Sequence, residues 1–149
     1  MANSVSLFNR VLNGNRVKDK LLFLDTFPDE CDKIEINIAK EKEDINAYEV
    51  TIDTLKANAS NISYGKCQQL KDSGQGANNT ESRAIMTEKI LKGNQEYQST
   101  LIKVALSRRA LTEQKRALTF LERKFSAIKH SLSCVNHLLD HYSKSDFGR

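Results

Sequence analysis

His130, Cys134, His137 and His141 recur at steps of four, three and four residues. Within them, Cys134-x2-His137-x3-His141 has ligand types and a spacing that suit zinc, which takes thiolate and imidazole donors in a tetrahedron. On a helix these side chains share one face, and one face rarely closes a tetrahedron alone. No second Cys/His pair lies nearby in the sequence. The pattern therefore predicts a polar outer stripe and no bound metal; a real site would have to lie at an interface.

Lys103, Arg108, Arg109, Lys115, Arg116, Arg123, Lys124 and Lys129 are the second candidate set. They fit either a surface for an acidic partner or a solvated face that balances acidic residues elsewhere in the chain. Nucleic acid is not the expected partner, because acidic residues alternate on the facing helix and no aromatic stacking platform is present. Gly74-Gln75-Gly76 lacks the preceding strand and the Gly-Lys-Ser/Thr ending of a phosphate loop, so it reads as a flexible turn. No Ser/His/Asp or Cys/His set is placed by a loop on a rigid scaffold, and a two-helix rod offers no cleft from which water is excluded. The expectation is a protein that is not an enzyme and carries no cofactor.

The elements that must position these residues are long helices. Stepping in sevens from Ile90 meets Tyr97, Val104, Leu111, Leu118, Phe125, Leu132 and Leu139, all apolar. The row three residues further on is small or polar at Gly93, Thr100, Ser107 and Gln114, then apolar at Leu121, Ile128, Val135 and Tyr142. A seven-residue period held this long marks a helix with a narrow apolar seam packed on another helix. A helix over 81–143 would be roughly 95 Å long at 1.5 Å per residue. The first half repeats the pattern at Cys31, Ile34, Ile38, Glu41, Ile45, Tyr48, Ile52, Leu55, Ala59, Ile62, Lys66 and Gln69.

Before that seam, residues 4–27 read as a helix weakened by Asn13-Gly14-Asn15, with Pro28 either kinking the chain or starting a new helix near Thr26. Residues 72–80 form the loop, with Gly74 or Gly76 as helix stop and Asn78, Asn79 or Thr80 as the next N-cap. The predicted fold is all-α: an antiparallel two-helix coiled-coil hairpin spanning 1–149, with helix 1 over about 4–71 and helix 2 over about 81–143. Charge agrees with that folding back. Residues 29–56 hold nine acidic side chains against four basic ones, and the facing stretch, about 96–123, holds six basic against three acidic. Opposite signs flanking a seam help to set helix orientation.

The 149 residues suffice for one domain, and 28% charged residues with a single Pro and no Trp lean towards the coiled-coil class. A net charge of +4 does not itself demand a polyanion. No apolar run reaches transmembrane length, and the opening Met1–Arg10 lacks a charged-then-apolar leader pattern. Three cysteines with no CxxC suggest free thiols in a reducing cytoplasm. In that setting the sequons at Asn58, Asn61 and Asn78 are chance occurrences.

Two stretches carry a family resemblance. Leu7–Asp25, LeuPheAsnArgValLeuAsnGlyAsnArgValLysAspLysLeuLeuPheLeuAsp, resembles the start of the central stalk proteins of type III secretion systems, the YscO/FliJ family. Leu106–Lys124, LeuSerArgArgAlaLeuThrGluGlnLysArgAlaLeuThrPheLeuGluArgLys, resembles that family's returning helix. Asn13–Asn15 and Pro28 depart from the family's continuous first helix. The resemblance implies a cytoplasmic stalk at the face of the secretion apparatus, with its terminal end in the pore of the hexameric export ATPase. It further implies stimulated hydrolysis, a link to the cytoplasmic domain of the export gate and, in some members, handling of secretion chaperones.

Carried onto this chain, Arg10, Arg16, Lys18, Lys20, Arg123, Lys124 and Lys129 would bind the ATPase, and Tyr64, Lys66 and Gln69 would bind the gate. A monomer without membrane insertion is expected. The rival reading is a coiled-coil adaptor or secretion chaperone that holds a protein partner through Leu101, Ile102, Ala105 and Leu106. A homodimer forming a four-helix bundle is a further possibility.

Overall fold

The computed structural model describes residues 2–147, with side-chain environments for residues 5–145. It is all-α, with four helices in the order α1 (Ala2–Gly14), α2 (Val17–Asp72), α3 (Thr80–Gly93) and α4 (Gln95–Phe147). No strand occurs among the described residues.

Each helix end has a local cause. α1 stops where Asn15 caps it. Both the backbone N–H and the side-chain Nδ2 of Asn15 donate to the Val11 carbonyl, at 3.2 and 2.7 Å. Arg16 follows with φ +51°, the left-handed conformation that glycine usually takes at a helix stop. Its carbonyl then accepts the first bond of α2, from Lys20.

α2 runs uninterrupted through Pro28. The proline removes one backbone donor, but the surrounding residues keep their helical bonding, so no new helix begins at Thr26. The Thr26 hydroxyl turns back onto the Leu22 and Phe23 carbonyls, each at 3.2 Å, and does not act as an N-cap. At the far end Gly74, at φ +73°, completes a Schellman stop. Gln75 N–H bonds the Leu70 carbonyl at 2.9 Å and Gly74 N–H bonds that of Lys71 at 3.1 Å. The loop is tied down by Asn78 Nδ2, which donates to Gln68 Oε1 at 2.6 Å. Asn79 then caps α3, its side chain accepting from Ser82 N–H at 2.8 Å.

Heptad spacing predicts one helix over 81–143, but the structure divides it at Asn94. That residue closes α3 by donating its N–H to the Leu91 carbonyl, and its Oδ1 accepts from Tyr97 N–H at the start of α4. Gly93 and Asn94 are a weak helix former and a strong cap side by side, which explains the break.

Contacts divide the chain into two units, Met1–Asn37 with Gln114–Arg149, and Ile38–Glu113. In the first, Phe27 stacks on Phe125 and Lys20 Nζ donates to Ser131 Oγ at 2.6 Å. Val135 is buried there. In the second, Arg108 pairs with Glu49 at 2.6 Å, Lys103 lies over the Tyr48 ring, and Thr87 reaches Ser63. Its buried residues are Ile45, Ile52, Ala59, Ser63, Cys67, Thr100 and Val104.

Along α4, the heptad positions from Tyr97 to Leu139 are all buried or half-buried. Along α2, the heptad holds only as far as Ala59. Ile62, Lys66 and Gln69, which the spacing assigns to the seam, are exposed. Ser63 and Cys67 are fully buried instead, and Leu70 is half-buried. A strict seven-residue repeat drifts by ~20° per heptad on a straight helix, and consecutive four-residue steps correct that drift. Moving the inward face by one position also keeps Lys66 and Gln69 in water, where they need no buried partner. The cost is an exposed Ile62.

Candidate functional site

The first unit gathers aromatic rings and ammonium groups around one contact. Phe27 and Phe125 stack with centroids 4.2 Å apart and planes at 19°, and Phe23 lies 5.9 Å from Phe27. Lys124 Nζ sits 4.6 Å from the Phe23 centroid and Lys129 Nζ 5.4 Å from that of Phe125. Cations held over ring faces are attracted by the ring quadrupole. The spacing behind this cluster is helical: Phe23 and Phe27 are four apart on α2, and Lys124, Phe125 and Lys129 share neighbouring turns of α4.

The seven expected ATPase-binding residues all belong to this unit, but they are not equivalent. Lys20 is half-buried and ties α2 to Ser131 on α4. Arg16 is exposed, and its Nε meets Asp19 Oδ2 at 3.1 Å. Lys124 and Lys129 lean on the aromatic cluster. Arg10, Lys18 and Arg123 are exposed and meet no carboxylate within 4.0 Å among the described residues. These three present their charge most freely.

The three expected gate-binding residues fall in the second unit, where the structure separates them. Tyr64 lines a groove of about 640 Å³ with Asn61, Arg83, Thr87 and Leu91, and the Arg83 guanidinium lies 5.6 Å from its ring centroid. Lys66 and Gln69 line a different groove, of about 820 Å³, with Leu70, Met86, Lys89 and Ile90. Heptad reasoning placed Ile90 on the apolar seam but missed Leu70, Met86 and Lys89 beside it. The available signal was the Ala59-x3-Ser63-x3-Cys67 run, whose small residues at four-residue spacing mark the true inward face.

The His/Cys stripe does not converge. Cys134 Sγ and His130 Nε2 are 3.8 Å apart, while His141 lies beside Tyr142. No group of three or more potential ligands gathers among the described residues. The cysteines are free thiols. Burial raises the pKa of Cys31, and the nearby carboxylates of Glu122, Glu35, Asp32 and Glu30 raise it further, so its thiol stays protonated near neutrality. Among the described residues, Lys20 Nζ donates to the Ser131 hydroxyl and the Cys134 thiol lies beside the His130 ring. Neither pair lines the grooves of α2 and α3 nor the groove between Leu21 and Leu139.

Charge elsewhere is handled by exposed local pairs. A hydrogen bond from Lys92, followed by its positive charge, lowers the Glu88 pKa. A hydrogen bond to Glu30 raises that of Lys33. The cross-helix pair of Arg108 with Glu49 is more than half exposed on the arginine side, so it contributes about 0–1 kcal/mol.

Among the described residues, no helix is long and apolar enough to cross a membrane. The described residues form an all-α helical protein whose first unit carries a cluster of cations and aromatic rings. No protein-family model, curated protein or solved structure matches the chain.

Proposed function

We propose that this chain is the non-catalytic stalk of a type III secretion export apparatus, folded as an antiparallel two-helix coiled-coil hairpin. Its terminal end enters the pore of the hexameric export ATPase and stimulates hydrolysis. Its other end meets the cytoplasmic domain of the export gate. The stalk acts as a monomer on the cytoplasmic side, without membrane insertion, nucleic acid or cofactor. The observation that carries this reading is the clustering of cations and aromatic rings where the first and last parts of the chain meet, at Phe23, Phe27, Lys124, Phe125 and Lys129. Long basic side chains on such an end can engage acidic pore loops one subunit at a time without a fixed pocket. Arg10, Lys18 and Arg123 are the freest to do so, and Lys124 and Lys129 are backed by rings.

The test is hydrolysis by the secretion ATPase purified from the same source, with and without this protein. Stimulation is expected, with loss on Arg123→Glu plus Lys124→Glu. Equal stimulation by that variant refutes the assignment of these residues, and no binding or stimulation by the native chain refutes the stalk.

A second reading is favoured by a specific feature. Leu101, Ile102, Ala105 and Leu106 on α4 are exposed and form an apolar strip. A coiled-coil adaptor or secretion chaperone would use that strip to hold a protein partner. Ile102→Asp plus Leu106→Asp should abolish partner capture in that case and leave ATPase stimulation intact in the other.

A further inference from the structure

The groove lined by Lys66, Gln69, Leu70, Met86, Lys89 and Ile90 has a division of labour that suggests its occupant. Leu70, Met86 and Ile90 are half-buried and supply an apolar floor. At Gly93, on the same lining, an added Cβ would meet nothing within 4 Å, so the backbone leaves room for an incoming side chain. Met86 can adjust its shape to different apolar groups, as thioether side chains do at adaptable surfaces.

The two walls are different helices, and each contributes one ammonium group: Lys66 from α2 and Lys89 from α3. Both are exposed, and neither meets a carboxylate within 4.0 Å among the described residues. Lys89 contrasts with its neighbour Lys92, which is already paired with Glu88 at 2.7 Å. Among the described residues, no acidic side chain lines this groove.

We propose that this groove docks an acidic amphipathic helix of another protein. Its apolar side chains would rest on Leu70, Met86 and Ile90, and carboxylates on its two flanks would pair with Lys66 and Lys89. A helix suits a groove bounded by two helices, where an apolar face reads as anchors at i, i+3, i+4 and i+7. A cation on each wall calls for carboxylates on both sides of the anchors, which an amphipathic helix supplies and a single-headed fatty acid does not. Lys66 and Gln69 are also the residues that the secretion reading gives to the export gate, but the inference rests on the groove's lining and holds for any partner that presents such a helix.

The probe is a synthetic amphipathic helix with Leu on one face and Glu on both flanks, compared with its twin carrying Lys in place of Glu. Binding is followed by methyl resonances of Met86 and Ile90 in the full chain. The Glu-flanked helix is expected to shift both resonances and the Lys-flanked twin to leave them unmoved. In the Lys66→Glu plus Lys89→Glu variant, affinity for the Glu-flanked helix should fall at least tenfold and the Lys-flanked twin should bind instead. Both lysines are exposed, so the variant keeps the fold, and unchanged far-ultraviolet circular dichroism verifies this. Equal binding of the twins, shifts confined to other residues, or no binding of either helix overturns the proposal. So does concentration-dependent self-association that the peptide cannot compete, which would make a second copy the occupant. Loss of peptide binding with ATPase stimulation kept overturns the groove alone, and absence of stimulation with peptide binding kept overturns the stalk alone.

Discussion

Phe27 on α2 and Phe125 on α4 stack with ring centroids 4.2 Å apart and planes within 19°. Both rings are half-buried, so each contributes apolar area as well as ring-to-ring attraction. Replacing either by Ala should destabilise the chain by about 1–3 kcal/mol, less than a fully buried Phe because water already reaches part of each ring. The rings should also be coupled: a double-mutant cycle should return about 0.5–1.5 kcal/mol of interaction. Urea unfolding of the two single variants and the double variant measures this. Additive losses would mean that the stack contributes area alone.

The shift of register after Ala59 is testable through the thiols. Cys67 is 1% exposed and sits on the inward face, Cys31 is half-buried, and Cys134 is exposed. The thiolate is the reactive species, so exposure and pKa together set the order of modification. Cys134 should react first with a disulfide reagent. Cys31 should lag, because burial and four carboxylates hold its thiol protonated. Cys67 should react only as the chain unfolds. Rapid labelling of Cys67 in the native protein would mean that the heptad continues and that Ile62, not Ser63, faces inward.

That register shift also shows what sequence can and cannot reveal in a helical chain. The α4 seam is legible because its inward positions, from Tyr97 to Leu139, keep one period with large apolar residues. The α2 seam is legible while Ile45 and Ile52 mark it. It is lost where the inward residues become Ser63 and Cys67, because small residues carry no clear hydrophobic signal and the apolar Ile62 beside them points the wrong way. The break at Asn94 was hidden for a related reason. One residue serves as the cap of two helices, and the period on either side is hardly disturbed. The grouping of Lys66 and Gln69 apart from Tyr64 follows from the shifted register, so it could not be read without it.

Glu88 and Lys92 link α3 to pH. The Lys92 ammonium lies 2.7 Å from the Glu88 carboxylate, and its hydrogen bond and charge hold the Glu88 pKa below the ordinary 4.5. A depressed carboxylate pKa contributes stability above the unfolded value, and the contribution is lost as pH falls through the folded value. Lys33 has the opposite sign: raised by Glu30, its contribution fades only in strong alkali, as pH rises past the ordinary 10.5 and through the folded value. Carboxyl resonances of Glu88 should therefore titrate low in the native chain and return towards 4.5 in Lys92→Met. An identical titration in both proteins would show that the pair does not persist in solution.

Arg16 holds the left-handed conformation at φ +51° between α1 and α2. For an L-residue with a Cβ this conformation costs roughly 1–2 kcal/mol, whereas glycine adopts it freely. Arg16→Gly should relieve that strain, although glycine gains more entropy in the unfolded chain, and the exposed pair with Asp19 is lost. The net expectation is stabilisation by up to about 1 kcal/mol. Arg16→Val should do the reverse, because a β-branched side chain tolerates positive φ worst. Thermal unfolding of the two variants decides the matter. If Gly and Val shift the midpoint equally, the turn is not strained, and α1 is not held in place by the conformation at residue 16.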